Sequence, residues 1–345
     1  MIEENSKEDE AMLYPKYKSA LLAFIVLLTV SILLGGCHGT ADPNTAPDTE
    51  QTQETAQESG TSATEEMPDI MQKSDPAEDD TLNILMIGNS FCYYYPDELY
   101  GLAKAEGIKV RVCNVYYSGC TLKQHCTWWL NGEENYQFFT YDWAGRKKME
   151  NCGLEYCLAQ QNWDVISLQE SSGTLLKNSA EESLKANSMY RQALVKFIKE
   201  QFPRSDLYWH QTWAYQLGYN RGGVEFVSDL QQRAYAKQMK KYAIEACEDG
   251  QMTGRINTGE AWEIARLDPR VGDILCNRLK DGGDFYHDGD IGGGQYLNAC
   301  VWFEILTGKS CVGNTFRPGD YTLSEDLVVA LQECAHQAVE DLKEE

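Results

Sequence analysis

From Thr81 onward, short apolar runs alternate with longer amphipathic stretches, and few folds satisfy that rhythm. Leu82 to Gly88 reads as a fully buried strand, and Ile108 to Val115, Asp164 to Leu168 and Asp206 to Trp209 repeat the signal, with Arg255 to Thr258 a shorter candidate. Between and after them lie helical patterns: one from Asp97 with Leu99, Leu102 and Ala103 on one face, then others near 184–201, 229–248, 293–307 and 323–343. Strands alternating with helices predict an α/β domain, a parallel sheet covered by helices on both faces. In such a sheet, ligands bind outside the carboxyl ends of the strands, so residues just after each strand are the candidates for chemistry.

The chain before Thr81 has a different character. An uncharged apolar run from Ala20 to Leu34 follows Lys16 and Lys18; it is of signal-peptide length and short for a helix that must span a bilayer with roughly 20 residues. It ends in Leu34-Gly35-Gly36-Cys37, which resembles the lipobox of bacterial lipoproteins, in which the cysteine is lipidated and becomes the new N-terminus. The alternative is an uncleaved signal anchor. Met12 is a second candidate start, because residues 1 to 11 add acidic charge that a signal n-region does not want. Residues 38 to 80 lack Phe, Trp and Tyr and are rich in Thr, Glu, Gln, Asp, Ser, Ala and Pro, too polar to offset chain entropy by burial. They read as a disordered tether with an r.m.s. reach of roughly 35 Å. The expected organisation is therefore a signal peptide over 1–36, lipidated Cys37 with its linker over 37–80, and one domain over 81–345.

Charge narrows the partners. The formal net charge of −23 argues against nucleic acid, whose phosphates need clustered cations. The only membrane contact expected is the lipid on Cys37. Of the 12 cysteines, the eleven that remain after Cys37 cannot all pair, so at least one thiol stays free. Several sit inside apolar patterns, and mostly reduced, buried thiols are expected, with Cys152 and Cys157 or Cys120 and Cys126 as candidate pairs. No CxxC pair exists, which argues against zinc.

After the first strand, Gly88-Asn89-Ser90-Phe91 sets a hydroxyl on a tight turn where a nucleophile is wanted, with the Ser90 N–H near a helix N-terminus. After the second, Gly119 offers an N–H with no Cβ in the way. Near the end of the chain comes Asp284-Phe285-Tyr286-His287. A carboxylate three residues before a histidine can orient its ring, leaving Nε2 to deprotonate a serine. Each motif alone has an ordinary reading as a turn or a surface loop.

Together they resemble the SGNH, or GDSL-like, hydrolase superfamily. The residues that carry the likeness are ILMIGNSF (84 to 91), VYYSGCTLKQH (115 to 125), WDVISLQESSG (163 to 173), WHQTWAY (209 to 215) and DFYHDGDIGGGQYLNACVWFEILTG (284 to 308). More narrowly, the chain resembles a branch of SGNH-hydrolase-like bacterial lipoproteins. The resemblance implies a three-layer αβα sandwich with a flavodoxin-like parallel sheet, and hydrolysis of carboxylic esters, carbohydrate esters being a common class. It implies Ser90 as nucleophile, His287 as base and Asp284 as its orienting partner, with the Ser90 and Gly119 N–H groups in the oxyanion hole. The superfamily's Gly-x-Asn after the third strand is replaced here by Leu168-Gln169-Glu170-Ser171, so the third oxyanion donor falls to the longer amide of Gln169.

Four more residues are candidates for substrate contact. Asn89 has an amide at the right place or caps the turn; His125 and His210 are either ligands or structural histidines; Trp213, with Trp128, Trp129, Trp209, Tyr215 and Tyr219, lines either a sugar-binding wall or the core. Glu260 and Trp262 read as capping and packing at a helix start. Gly308-Lys309-Ser310 imitates the tail of a P-loop but ends a helix, and Asp288-Gly289-Asp290 lacks the remaining ligands of an EF-hand. No metal and no cofactor are expected. The reading is a tethered extracytoplasmic serine esterase that removes acyl groups, acetyl foremost, from glycans. Its rivals are a glycan-binding lipoprotein of the same fold and a peptidase or thioesterase on the same triad.

Overall fold

The computed structural model describes residues 80–176, 178–218, 220, 221, 224, 225, 228–271, 293–319 and 323–345. The signal segment, Cys37, the linker up to residue 79, Tyr219, Cys276, Asp284, His287 and the Asp288-Gly289-Asp290 run lie outside them.

The chain opens with β1 (Leu82–Gly88), a 3-10 turn (Ser90–Cys92) and α1 (Pro96–Ala105). Next come β2 (Val110–Tyr116), α2 (Leu122–Asn131), β3 (Tyr136–Asp142), β4 (Gly145–Cys152) and α3 (Leu154–Leu158). The middle is β5 (Val165–Leu168), a second 3-10 turn (Ser172–Leu175), α4 (Ala180–Gln201) and β6 (Asp206–His210). A two-stranded ladder, β7 (Asn220–Arg221) with β8 (Val224–Glu225), precedes α5 (Asp229–Asp249). The last described elements are β9 (Gly254–Ile256), α6 (Thr258–Leu267), α7 (Gly294–Thr307) and α8 (Glu325–Glu344).

Seven strands form the central sheet in the order β4-β3-β2-β1-β5-β6-β9. β1 pairs in parallel with β2 and β5, and β5, β6 and β9 continue the parallel run. The α/β layering is as the alternation of strands and helices leads one to expect. α1 packs on α7, which also packs on α6 and α8; α4 packs on α2 and α5. β1 is apolar on both faces, Ile84 to Ile87 being fully buried, because helices cover both sides of a central parallel strand.

The sheet is not wholly parallel. β3 runs antiparallel to β2, and β4 antiparallel to β3. This hairpin went unforeseen because β4, Gly-Arg-Lys-Lys-Met-Glu-Asn-Cys, is mostly exposed and carries no apolar run. α2 was also missed. Thr121 begins it with a reciprocal capping box, taking the Gln124 N–H on its hydroxyl while the Gln124 side chain returns to the Thr121 N–H.

The ten described cysteines are all free thiols, and nine of them are buried. The candidate pairs are therefore unbridged. Cys152 and Cys157 share a hydrogen bond as thiols, while burial pushes Cys126 up to about 12. Such groups pack as small hydrophobes.

Candidate functional site

Three strand ends converge where the sequence places the chemistry. The register sets Gly88 opposite Tyr116 and Ile87 opposite Leu168, so Ser90, the turn after β2 and Gln169 share the carboxyl edge of the sheet. Ser90 opens the first 3-10 turn, with Asn89 as its N-cap: Oδ1 of Asn89 accepts the Phe91 N–H over 3.1 Å. From inside β2, fully buried Asn114 donates to the Cys92 carbonyl over 2.6 Å and holds the far end of the same turn. Gly119 stands in the next turn at φ +65°, a backbone state in which a side chain would be strained.

A chain of amide contacts joins these turns. Asn89 Nδ2 donates to the Cys120 carbonyl over 2.9 Å, tying the Ser90 turn to the Gly119 turn. Gln169 Nε2 donates to Asn89 Oδ1 over 2.7 Å, and Gln169 Oε1 lies 3.0 Å from His210 Nδ1. The far nitrogen of His210 lies 3.1 Å from the Thr258 hydroxyl and 3.4 Å from that of Tyr95. Asn89, Gln169 and His210 are each about 1% exposed. Burial lowers His210 to about 3, so its ring is neutral at any physiological pH.

The other expected contacts divide. His125 is in the first turns of α2; it is fully buried, its ring stacks on Tyr136, and Nδ1 meets the Tyr136 hydroxyl at 2.9 Å. Trp213 is buried and stacks flat on Trp262 with centroids 5.1 Å apart, while Phe91, the neighbour of Ser90, tilts against it at 4.6 Å. Trp129 stacks on Phe197 and Trp209 packs on Tyr242, both within the core. Tyr215 is buried as well. Tyr117, in the turn after β2, is 41% exposed, with Trp128 edge-on to it at 4.8 Å. Glu260 pairs with Lys240 and Arg255, and Trp262 donates to Asn298 over 2.7 Å.

The sequence alone assigns no site role to Glu170, Tyr95, Asn114 or Thr258. For Asn114 the signal was available: an amide in the middle of an apolar strand needs a partner. Among the described residues, no three His, Cys, Asp or Glu side chains gather as metal ligands would. Among the same residues, no helix is long and apolar enough to cross a membrane.

No curated protein matches the chain. Among solved structures, a DUF4886 family protein from Bacteroides uniformis is 29% identical, with a TM-score of 0.65 over 75% of this chain and 95% of that one. A protein from Parabacteroides merdae described as a GDSL-like lipase is 16% identical, with a TM-score of 0.42 over 66% of this chain and 96% of that one. One from Bacteroides fragilis described as an acylhydrolase is 10% identical, with a TM-score of 0.30 over 54% and 71%. Likenesses as distant as these last two say nothing of activity. Residues 83–338 match the model of a domain of unknown function, DUF4886, and the chain belongs to that family.

Proposed function

We propose that this protein is an extracytoplasmic serine esterase that removes acyl groups, acetyl foremost, from carbohydrate substrates. The observation that carries the reading is the buried bridge from Gln169 through Asn89 to the Cys120 carbonyl, which locks the Ser90 and Gly119 turns side by side at one sheet edge. Three strand ends held so rigidly are what a preorganised acyl-transfer site requires. In this reading Ser90 Oγ attacks the ester carbonyl carbon while His287, oriented by Asp284, takes the hydroxyl proton. The tetrahedral oxyanion rests on the Ser90 and Gly119 N–H groups. Its collapse breaks the ester bond, and the alcohol leaves with the proton from His287. Water then attacks the acyl-enzyme with His287 as base, releasing the acid and restoring Ser90. No cofactor enters any step. The lipobox-like Cys37 and the linker to residue 80 would hold the domain off the outer face of the membrane.

One observation favours the binding-module alternative: Gln169, the expected third oxyanion donor, spends one of its two amide hydrogens on Asn89. Turnover of p-nitrophenyl acetate by the full chain, wild type against Ser90→Ala, with labelling by a fluorophosphonate probe, separates the two. An esterase turns over and labels only with Ser90 present. A chain that does neither, yet binds glycans in calorimetry, is a binding module.

A further inference from the structure

Next to Gln169, the strand end carries a second buried side chain, and this one reaches the start of α2, just past the Gly119 turn. Glu170 is 5% exposed, and its Oε1 accepts two backbone N–H groups: Ser171 at 2.7 Å and Leu122 at 3.2 Å. Leu122 is the first residue of α2, and its N–H is one of those a helix cannot satisfy internally. Thr121 caps Gln124, so Leu122 is served from outside the helix. The turn bearing Gly119 is thus pinned at two points. Asn89 holds the Cys120 carbonyl, and Glu170 holds the Leu122 N–H two residues on.

Other features around Glu170 bear on what its carboxyl group does. Thr174 stands beside the carboxyl group, and the nearby Tyr242 hydroxyl meets Asn187 and Arg191. Glu170 and Tyr242 line a cavity of about 20 Å³ with Ser171, Ser172, Gln211 and Thr212, large enough for one water. Burial raises the carboxyl to about 7, with the Ser171 and Leu122 N–H groups foremost in opposing the rise. Both N–H groups meet the same oxygen, Oε1, so the position and reach of that acceptor set the contact.

Resting on the esterase reading, we propose that Glu170 is a positioning residue: its carboxyl group, through the Leu122 and Ser171 N–H groups, clamps the Gly119 turn to the end of β5 and sets where the oxyanion donor stands. It touches no reacting atom. A donor displaced by about 1 Å costs up to roughly 10²-fold in rate, so the effect belongs in kcat.

The test is steady-state p-nitrophenyl acetate hydrolysis by the full chain carrying Glu170→Ala, Glu170→Asp or Glu170→Gln, beside Ser90→Ala. Asp keeps the charge but loses one methylene of reach; Gln keeps the reach and an acceptor oxygen but loses the charge. Ala and Asp should lower kcat by roughly tenfold or more at nearly constant KM, and Gln should recover most of it. If Ala fails to fold, the Asp and Gln pair decides. Wild-type kcat in Asp, a loss confined to KM, or a Gln variant as impaired as Asp overturns the clamp. Wild type without Ser90-dependent turnover overturns the esterase reading itself, and the clamp with it.

Discussion

Gln169 Nε2 lies 2.7 Å from Asn89 Oδ1, and the direction of that hydrogen bond is dictated by the backbone. The Phe91 N–H must meet an oxygen of Asn89, and the Cys120 carbonyl must meet its nitrogen, so the Asn89 amide has one orientation. Gln169 must then turn its nitrogen toward Asn89 and its oxygen toward His210, and an oxygen there requires the proton on His210 Nδ1. The Thr258 hydroxyl already donates to the Gln211 carbonyl at 2.6 Å, which leaves the Tyr95 hydroxyl to serve His210 Nε2. Two backbone groups beside Ser90 thus choose the tautomer of a histidine two side chains away.

For His210 the consequence is spectroscopic. Its ring nitrogens should show the neutral Nδ1–H form in NMR from pH 5 to 8 with no titration step, because burial holds its pKa near 3. A midpoint between 5 and 8 would contradict the buried network.

Gly88 tests how tightly that network is packed. A Cβ there would lie 2.6 Å from Cδ and Cγ of Gln169, closer than atoms can approach. Gly88→Ala should cost about 1–3 kcal/mol in chemical denaturation. It should also lower esterase kcat as Gln169 is displaced. Unaltered kcat would show that the placement of Gln169 is indifferent to turnover.

Gln169→Ala removes the amide outright. If its second hydrogen or its hold on Asn89 matters only in the transition state, kcat should fall by roughly 10²-fold with KM little changed. A rise in KM at constant kcat would make it a substrate contact instead.

Glu170 should leave its mark on stability against pH. Its folded pKa is raised from 4.5 to about 7, chiefly by burial. Between those values the folded chain holds a proton that the unfolded chain has lost, so stability falls as pH rises through the window, by up to about 3 kcal/mol. Glu170→Gln cannot ionise, and its denaturation midpoint should be flatter across pH 4.5 to 7 than that of wild type.

At the N-terminus, globomycin should accumulate an unprocessed precursor, Cys37→Ser should do the same, and mild proteolysis should cut within residues 38–80. Processing indifferent to both treatments would exclude lipoprotein maturation.

What the sequence disclosed follows from periodicity. β1, β2, β5 and β6 are short apolar runs because both their faces are covered, and the turns after them show where ligands meet such a sheet. β4 was hidden because an exposed edge strand has no apolar period to read. The pairing of Asn89 with Gln169 was beyond reach for another reason. Both residues were candidates, but a contact across 80 positions depends on register, and register comes from tertiary packing. Glu170 stood in plain view in the Gln-Glu-Ser-Ser run, yet a carboxylate in a loop looks solvent-bound until a helix start arrives beside it.

The β3–β4 hairpin has a consequence for crowding. Where copies of a chain crowd together, an open sheet edge invites a foreign strand. Among the described residues, one border strand, β9, is three residues long. The other, β4, carries Arg146, Lys147 and Lys148 in succession, and the guanidinium of Arg146 lies over the rings of Tyr93, Phe139 and Tyr141. A strand approaching from outside meets positive charge where it needs a neutral ladder, so the margins of the sheet work as gatekeepers against polymerisation.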